Sequence, residues 1–178
     1  MFKFNLIKAT LADKPALENM WYYYVYDLTR YCGFIKDWKS PTELSFKSDD
    51  ITECFSGHDS HFFVIKIGDE YAGFAYFKKL EVMPYVDWFM NDFYIISKYQ
   101  RSGLGKEVAK EIFEKFPGEW SVGIIPEHKG ALSFWRNVIK SFKHDAFIEE
   151  MKTREQLQTK ERPDPYPMVM LRFNSGMT

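Results

Sequence analysis

The 178-residue sequence predicts a mixed α/β fold, in which a sheet of about seven strands carries helices on both faces. Two observations predict this class and its organisation as one domain. Short apolar segments typical of strands alternate along the chain with longer segments whose apolar residues recur at helical spacing. No linker, repeat or low-complexity tract divides the sequence, so a single domain over residues 1–178 is expected.

The first predicted elements are a strand and a long helix. Residues 2–7 alternate apolar and polar side chains, as a half-buried strand does. Asp13 and Pro15 then open a helix, and Gly33 ends it. A short second helix is expected at residues 50–55. The apolar stripe of the first helix consists of Leu17, Met20, Trp21, Tyr24, Val25 and Leu28.

Three strands are predicted next. Residues 61–67 and 70–77 flank Gly68-Asp69, a pair typical of two-residue hairpin turns. Residues 86–96 are apolar on both strand faces, so we expect a central strand that is covered on both sides. Its inner polar exceptions are Asn91 and Asp92.

The second half alternates helices and strands. One helical stripe follows the glycines at 103 and 105, and residues 120–125 form a strand after it. A second stripe begins at Ala131. The last predicted strands are residues 145–150 and 166–173, and the charged segment 151–165 between them is expected to be an exposed loop. The two stripes are Val108, Ala109, Ile112, Phe113 and Phe116, then Ala131, Leu132, Trp135, Val138, Ile139 and Phe142.

Composition excludes several classes of function. The net charge is −1 and no basic stripe exists, which argues against a nucleic-acid partner. No apolar run reaches the length that spans a bilayer, and the N-terminal residues do not resemble a signal peptide, so we expect a cytoplasmic protein without a membrane partner. Cys32 and Cys54 show no metal-binding spacing, and His58 and His61 have no supporting ligands, so no metal is expected.

The most informative segment is the turn Gln100-Arg101-Ser102-Gly103-Leu104-Gly105-Lys106, which lies between a buried strand and an amphipathic helix. Its glycines allow the backbone to approach a ligand closely, and amides at a helix start bind phosphate groups. A P-loop would need four residues between its glycines, and a dinucleotide fingerprint would need a third small residue where Val108 stands. The turn therefore fits neither of those two motifs.

The turn resembles the motif Gln/Arg-x-x-Gly-x-Gly/Ala of the GNAT superfamily of N-acetyltransferases, met here by Gln100, Gly103 and Gly105. The preceding strand resembles the family's fourth strand, and residues 126–135 are similar to its later motif Asn-x-x-Ala-x-x-Phe/Leu-Tyr. The resemblance covers nearly the whole chain. It implies a mostly antiparallel sheet that splays between strands 4 and 5, where acetyl-CoA lies as the acyl donor.

The resemblance also implies a donor site. The backbone of Phe93 and Ile95 would pair with the pantetheine arm, and the amides of the turn would hold the pyrophosphate. His128 stands in the place of the family's asparagine, where it would contact the CoA arm or remain an exposed loop residue. Trp135 replaces the family's tyrosine acid and is either a core residue or a wall of the donor site. The turn residues that the resemblance implies for the donor site are Gln100, Arg101, Ser102, Gly103, Leu104, Gly105 and Lys106.

Two residues of the fourth strand are catalytic candidates. Asp92 aligns with a carboxylate often seen there in the family, and it would act as the base that deprotonates the amine. The alternative is that Asp92 only accepts a hydrogen bond from backbone or a tyrosine. Tyr94, or a water molecule, would assist the leaving thiolate because indole is not an acid. Glu81 and Asp87 are weaker candidates for the base.

The acceptor site is expected at the first helix, where Tyr22, Tyr23 and Tyr26 are surplus to its core stripe. Tyr22 and Tyr26 are the predicted substrate contacts and would bind a cationic amine through their rings. The alternative is an aromatic surface or a homodimer contact. The predicted reaction is transfer of an acetyl or longer acyl group to a primary amine of a small molecule or peptide, by direct attack in a ternary complex. The competing interpretation is an acyl-CoA sensor without turnover.

Overall fold

The computed structural model of the chain describes residues 3–32, 55, 59–79, 83, 85–143, 147–158 and 165–176. The short helix expected at residues 50–55 lies almost entirely outside these ranges, as do Cys54, His58 and Glu81. Cys32, at the end of the first helix, is buried.

Strands and helices alternate much as the sequence predicts. The helices among the described residues are α1 (Lys14–Cys32), α2 (Leu104–Lys115), α3 (Lys129–Lys143) and the single turn α4 (Arg154–Leu157). The strands are β1 (Asn5–Lys8), β2 (Ser60–Ile67), β3 (Glu70–Lys78), β4 (Trp88–Ile95), β5 (Glu119–Ile124), β6 (Ile148–Lys152) and β7 (Met168–Asn174). Gly68 has a φ of 59° between β2 and β3, which confirms the predicted hairpin turn.

The strands form a seven-stranded mixed sheet in the order β1-β2-β3-β4-β5-β7-β6. The pairs β1–β2, β2–β3, β5–β7 and β6–β7 are antiparallel, whereas β4 and β5 are parallel. The register of the parallel pair runs from Trp88 opposite Trp120 to Met90 opposite Val122. It therefore covers only the first three residues of β4.

The chain divides into two compact units, one of residues 1–78 and 91–108 and the other of residues 79–90 and 109–178. The boundary passes through β4 and through α2, so each of these elements contributes to both units. The expectation of one domain stays a prediction.

In the first unit, α1 packs on β2, β3 and β4. The Trp21 ring stacks on Phe74 at a centroid distance of 5.4 Å. Gly73 of β3 lies so close to β4 that a Cβ there would collide with the carbonyl oxygen of Tyr94. The buried residues of this core are Ala9, Leu17, Met20, Phe62, Val64, Phe74, Tyr76 and Tyr94.

The core of the second unit is built around Phe113 of α2. Its ring packs edge-on against Trp120 of β5 at 4.9 Å and against Phe173 of β7 at 4.8 Å. Trp120 is fully buried, and its indole N–H donates to the carbonyl oxygen of Phe116 at 2.9 Å. Phe113, which belongs to the apolar stripe predicted for this helix, therefore serves packing here.

Two expectations from the sequence are wrong. The middle of β4 is not covered on both faces, because Asn91 is exposed and Asp92 and Phe93 are only half-buried. The segment 151–165 is not a loop throughout: Met151 and Lys152 complete β6, and α4 follows. Thr153 precedes α4, and its amide donates to Oε1 of Gln156 at 2.9 Å, an arrangement that favours helix initiation despite the charged sequence.

Candidate functional site

The turn at residues 100–105, called here the phosphate turn, has an unusual backbone. A short 3-10 turn (Ser97–Tyr99) leaves β4, and Gln100 then returns to an extended conformation. Arg101 has a φ of 59° and Gly103 a φ of 90°, after which α2 begins at Leu104. Arg101 is the only residue other than glycine with a positive φ among those described. Such a conformation is strained for a side chain with a Cβ and is frequent at functional sites.

Side-chain hydrogen bonds hold both sides of the strained residue. The Gln100 amide nitrogen donates to the carbonyl oxygen of Ile95 at 2.7 Å. The Ser102 hydroxyl donates to the carbonyl oxygen of Tyr99 at 2.6 Å and lies 3.4 Å from the amide of Leu104. The first bond fixes the entry to the phosphate turn and the second fixes its exit.

The amides after the strained residue are suited to an anion. The first amides of a helix have no partner within the helix, and α2 is long enough for its dipole to favour negative charge at this end. Among the described residues, neither the Gly105 amide nor the Lys106 amide has a hydrogen-bond acceptor, whereas the Glu107 amide donates to the Gly103 carbonyl. Arg101 is exposed and Lys106 half-buried, so both add positive charge nearby. The turn can therefore hold a phosphate or pyrophosphate.

Successive residues of β4 direct their backbone N–H and C=O groups to opposite edges of the strand. Tyr94 and Ile96 face β3, since the Ile96 amide donates to Ala72 and the Tyr94 carbonyl points at Gly73. Phe93 and Ile95 therefore direct their backbone groups to the other edge of the strand. Phe93 is half-buried and Ile95 is buried.

Asp92 contacts α1 through a tyrosine. Burial of the Tyr24 hydroxyl, followed by the charge of Asp92 and a hydrogen bond to it, raises the pKa of Tyr24 well above its usual value. The Asn91 side-chain amide also donates to the Asp92 carboxylate. Asp92 is half-buried, so its carboxylate is both held in place and reachable.

Tyr94 lies next to a second carboxylate, that of Asp27. Burial, then the charge of Asp27 and a hydrogen bond to it, raises the pKa of Tyr94 to about 12. Asp27 is not among the site residues predicted from the sequence. Its spacing carried a signal, since it lies three residues after Tyr24 and seven after Met20, on the helix stripe that faces the core.

The predicted acceptor contacts lie on the outer side of α1. Tyr26 is 56% exposed, and Tyr23 beside it is 60% exposed. Tyr22 is half-buried, and its ring meets Tyr23 edge-on at 5.9 Å. Tyr23 also contributes electrostatically to the raised pKa of Tyr94.

The second unit contains His128 and Trp135. His128 caps α3: its Nδ1 accepts from the Ala131 amide at 3.1 Å, and its carbonyl accepts from Leu132 at 3.1 Å. Burial lowers the pKa of His128, so the neutral ring is favoured and its proton resides on Nε2. Trp135 is 6% exposed and packs against Phe113 and Phe134.

Other candidates have structural partners. The Asp87 carboxylate accepts from the Glu119 amide at 2.8 Å and fills the space beside Gly118. The described residues contain no group of three or more His, Cys, Asp or Glu that could hold a metal ion. None of the described helices is long and apolar enough to cross a membrane.

The second unit has a surface cleft of about 640 Å³ whose lining includes none of the predicted site residues. Its lining includes Tyr85, Ile148 and Arg172, and the guanidinium of Arg172 lies over the Tyr85 ring at 5.1 Å.

Comparison with known proteins gives one family match. The model of the acetyltransferase (GNAT) family matches residues 22–138. No curated protein matches the sequence.

Three solved structures illustrate the similarity of fold. An acetyltransferase from Thermus thermophilus has a TM-score of 0.66 and 14% identity, with 98% of this chain and 99% of that one covered. The ribosomal-protein-S18-alanine N-acetyltransferase of Escherichia coli has a TM-score of 0.62 and 12% identity, with coverages of 99% and 96%. The spermidine N-acetyltransferase of Vibrio cholerae, in complex with CoA and spermine, has a TM-score of 0.64 and 10% identity, with coverages of 97% and 95%.

Proposed function

The chain belongs to the GNAT family of acetyltransferases, and on that premise we propose that it transfers an acetyl group from acetyl-CoA to a primary amine of a small molecule or peptide. The observation that carries the proposal is the phosphate turn, with its strained Arg101 and its available amides at the start of α2. Acetyl-CoA supplies an acyl group activated as a thioester.

The donor site is proposed on β4 and the phosphate turn. The amides of residues 101–106 would bind the pyrophosphate, and the charges of Arg101 and Lys106 would support them. The groups that Phe93 and Ile95 direct away from β3 would pair with the pantetheine arm. His128 and Trp135 belong to the second unit, and the donor contacts expected of them from the sequence stay predictions.

Asp92 is proposed as the general base. An alkylamine with a pKa near ~10.4 must lose a proton at pH 7, which costs about 4–5 kcal/mol without assistance. Tyr24 and Asn91 hold the Asp92 carboxylate, and its half-exposed position allows an amine or a relaying water to reach it. These hydrogen bonds orient the base for the incoming proton.

The leaving sulfur does not require a separate acid. Proton transfer from Tyr94 to a thiolate with a pKa near ~8.5 would be uphill by about 5 kcal/mol, because the pKa of Tyr94 is about 12. We therefore propose that Tyr94 contributes through its hydrogen bond and keeps its proton. The ammonium nitrogen loses two protons in the reaction. Asp92 takes the first and passes it to solvent, and the second, released as the amide forms, balances the one that the sulfur gains, which fits the presence of Trp135 in place of a tyrosine.

The acceptor amine is proposed to bind along α1. Tyr22 and Tyr26 provide aromatic surface for a cationic amine on the outer side of α1. Asp27 and Asp92 provide negative charge where α1 meets β4, towards which the amine would extend. Two of the similar proteins are named for acetylating spermidine and an alanine of ribosomal protein S18, and these set the substrate classes to test first. A cytoplasmic location and a homodimer stay predictions, which cell fractionation and the mass in solution would decide.

The test is release of free thiol from acetyl-CoA across a panel of polyamines and of peptides with a free N-terminus or lysine. We expect Asp92→Asn to lower kcat/KM at pH 7 by about 100-fold or more, and the loss to shrink as the pH approaches the pKa of the free amine. Asp69→Asn, the same change in the exposed hairpin turn, should leave the rate unaltered. Equal pH profiles for Asp92→Asn and the parent protein would refute the base assignment. CoA binding with no turnover of any amine would favour the sensor.

A further inference from the structure

We propose that Glu70, at the start of β3, is a positioning residue for the phosphate turn and acts on it through Tyr99. The proposal rests on the donor site described under the proposed function. Glu70 lies outside the motif Gln100–Gly105 and outside every residue assigned above to binding or catalysis.

The contact begins at a buried tyrosine. Tyr99 is 5% exposed, and its hydroxyl donates to Oε2 of Glu70 at 2.6 Å. The ammonium group of Lys98 lies 2.6 Å and 2.9 Å from the two oxygens of the same carboxylate. Glu70 directly follows the Gly68-Asp69 turn, so these bonds attach the 3-10 turn Ser97–Tyr99 to the β2–β3 hairpin.

Tyr99 passes this restraint to the phosphate turn. Its carbonyl oxygen accepts from the Ser102 hydroxyl at 2.6 Å, and the same hydroxyl lies 3.4 Å from the amide of Leu104, where α2 begins. A shift of Tyr99 would therefore move Ser102 and the first amides of the helix.

The phosphate turn needs such a restraint because of Arg101. Its φ of 59° is unfavourable for an arginine and persists only when the neighbouring structure fixes it. The Gln100 side chain fixes the preceding side through Ile95, and Ser102 fixes the following side through Tyr99. Glu70 is thus the anchor of the second restraint.

Glu70 acts through its hydrogen bond with the Tyr99 hydroxyl rather than through its ion pair with Lys98. The Lys98 and Glu70 side chains are 60% and 53% exposed, and exposed ion pairs contribute little. Glu70→Gln keeps an oxygen that can accept from Tyr99, whereas Glu70→Ala does not. Both changes remove the charge, so their difference isolates the hydrogen bond.

The experiment measures the Kd of CoA by calorimetry and that of pantetheine, which lacks the pyrophosphate, by NMR titration. We expect Glu70→Ala and Tyr99→Phe to weaken CoA binding about 3- to 10-fold, while pantetheine binding changes less than about twofold. Glu70→Gln should restore CoA binding to within about twofold of the parent protein. Glu111→Ala, which removes an exposed ion pair with Lys115, is the matched control and should change neither.

Hydrogen exchange gives a second readout that needs no ligand. Amides of residues 101–106 should exchange faster in Glu70→Ala and Tyr99→Phe, and those of β5 should not. Unchanged CoA binding in both variants, or equal weakening of CoA and pantetheine, would overturn the inference while the proposed function stands. A parent protein that binds no CoA would instead overturn the proposed function, and the inference with it.

Discussion

Asp27 and Asp92 lie on two different elements, α1 and β4, and each carboxylate faces a tyrosine hydroxyl of the opposite element. Asp92 of β4 is paired with Tyr24 of α1, and Asp27 of α1 is paired with Tyr94 of β4. In both pairs the carboxylate stabilises the neutral phenol and accepts its hydrogen bond. The tyrosines thus hold the two carboxylates in position and keep their own protons over the working pH range.

His128 allows a prediction about pH. Burial lowers its pKa below the usual 6.5, and its neutral Nδ1 caps α3. The unfolded chain then binds the proton more readily, so this stabilisation is complete above pH 6.5 and is lost as the pH falls through 6.5 towards the lower native pKa. In the variant His128→Asn, the asparagine side chain can also cap α3, and it neither gains nor loses a proton in this pH range.

We expect His128→Asn and the parent protein to have similar free energies of unfolding at pH 7.5. At pH 5 we expect the free energy of unfolding of His128→Asn to be higher by up to about 1 kcal/mol. Urea denaturation at both pH values measures it. His128→Ala is the control and should be less stable than the parent protein at pH 7.5. A difference between His128→Asn and the parent that does not vary with pH would contradict the capping role of the neutral ring.

At the scale of elements, the phosphate turn depends on the backbone of Gly103. Its φ of 90° is unfavourable for alanine, although no atom lies within 4 Å of an added Cβ. Gly103→Ala should therefore act through strain alone, of about 1–2 kcal/mol, and should weaken CoA binding about 10-fold if the turn relaxes to relieve it.

Gly68→Ala is the matched control for this change. Gly68 also has a positive φ, 59°, with open space at its Cβ position, but it lies in the β2–β3 turn. Gly68→Ala should lower the free energy of unfolding by about as much as Gly103→Ala does, and it should leave the Kd of CoA unaltered. If the two variants weaken CoA binding equally, the effect reflects general destabilisation rather than the geometry of the phosphate turn.

At the scale of the whole molecule, the two units share β4 and α2, so neither can unfold without disrupting both elements. We expect one cooperative thermal transition, with equal calorimetric and van't Hoff enthalpies. CoA at 100 times its Kd should stabilise the native protein by about 2.7 kcal/mol. That corresponds to a rise in Tm of about 5–10 °C for a chain of this size.

Differential scanning calorimetry with and without CoA measures both effects, and adenosine at the same concentration is the control ligand. Two transitions, of which CoA moves only one, would show that the units are independent domains.

The sequence predicted the elements well because local patterns determine them. The alternation of residues 2–7 and the helical stripe of α2 depend on spacing within one segment, and the glycines of the phosphate turn mark its position. Contacts between distant segments could not be predicted in the same way. Glu70 and Tyr99 are 29 positions apart, and the partner of Tyr94 on α1 depends on how helix and strand are placed.

The close approach of β3 and β4 at Gly73 has a consequence for which substitutions the chain accepts. Gly68 and Gly103 are favoured by their positive φ, which asparagine also tolerates better than most other residues. Gly73 is required by space, because any Cβ would meet the Tyr94 carbonyl. Under selection for a folded protein, positions 68 and 103 should drift between glycine and asparagine, whereas position 73 should stay fixed as glycine.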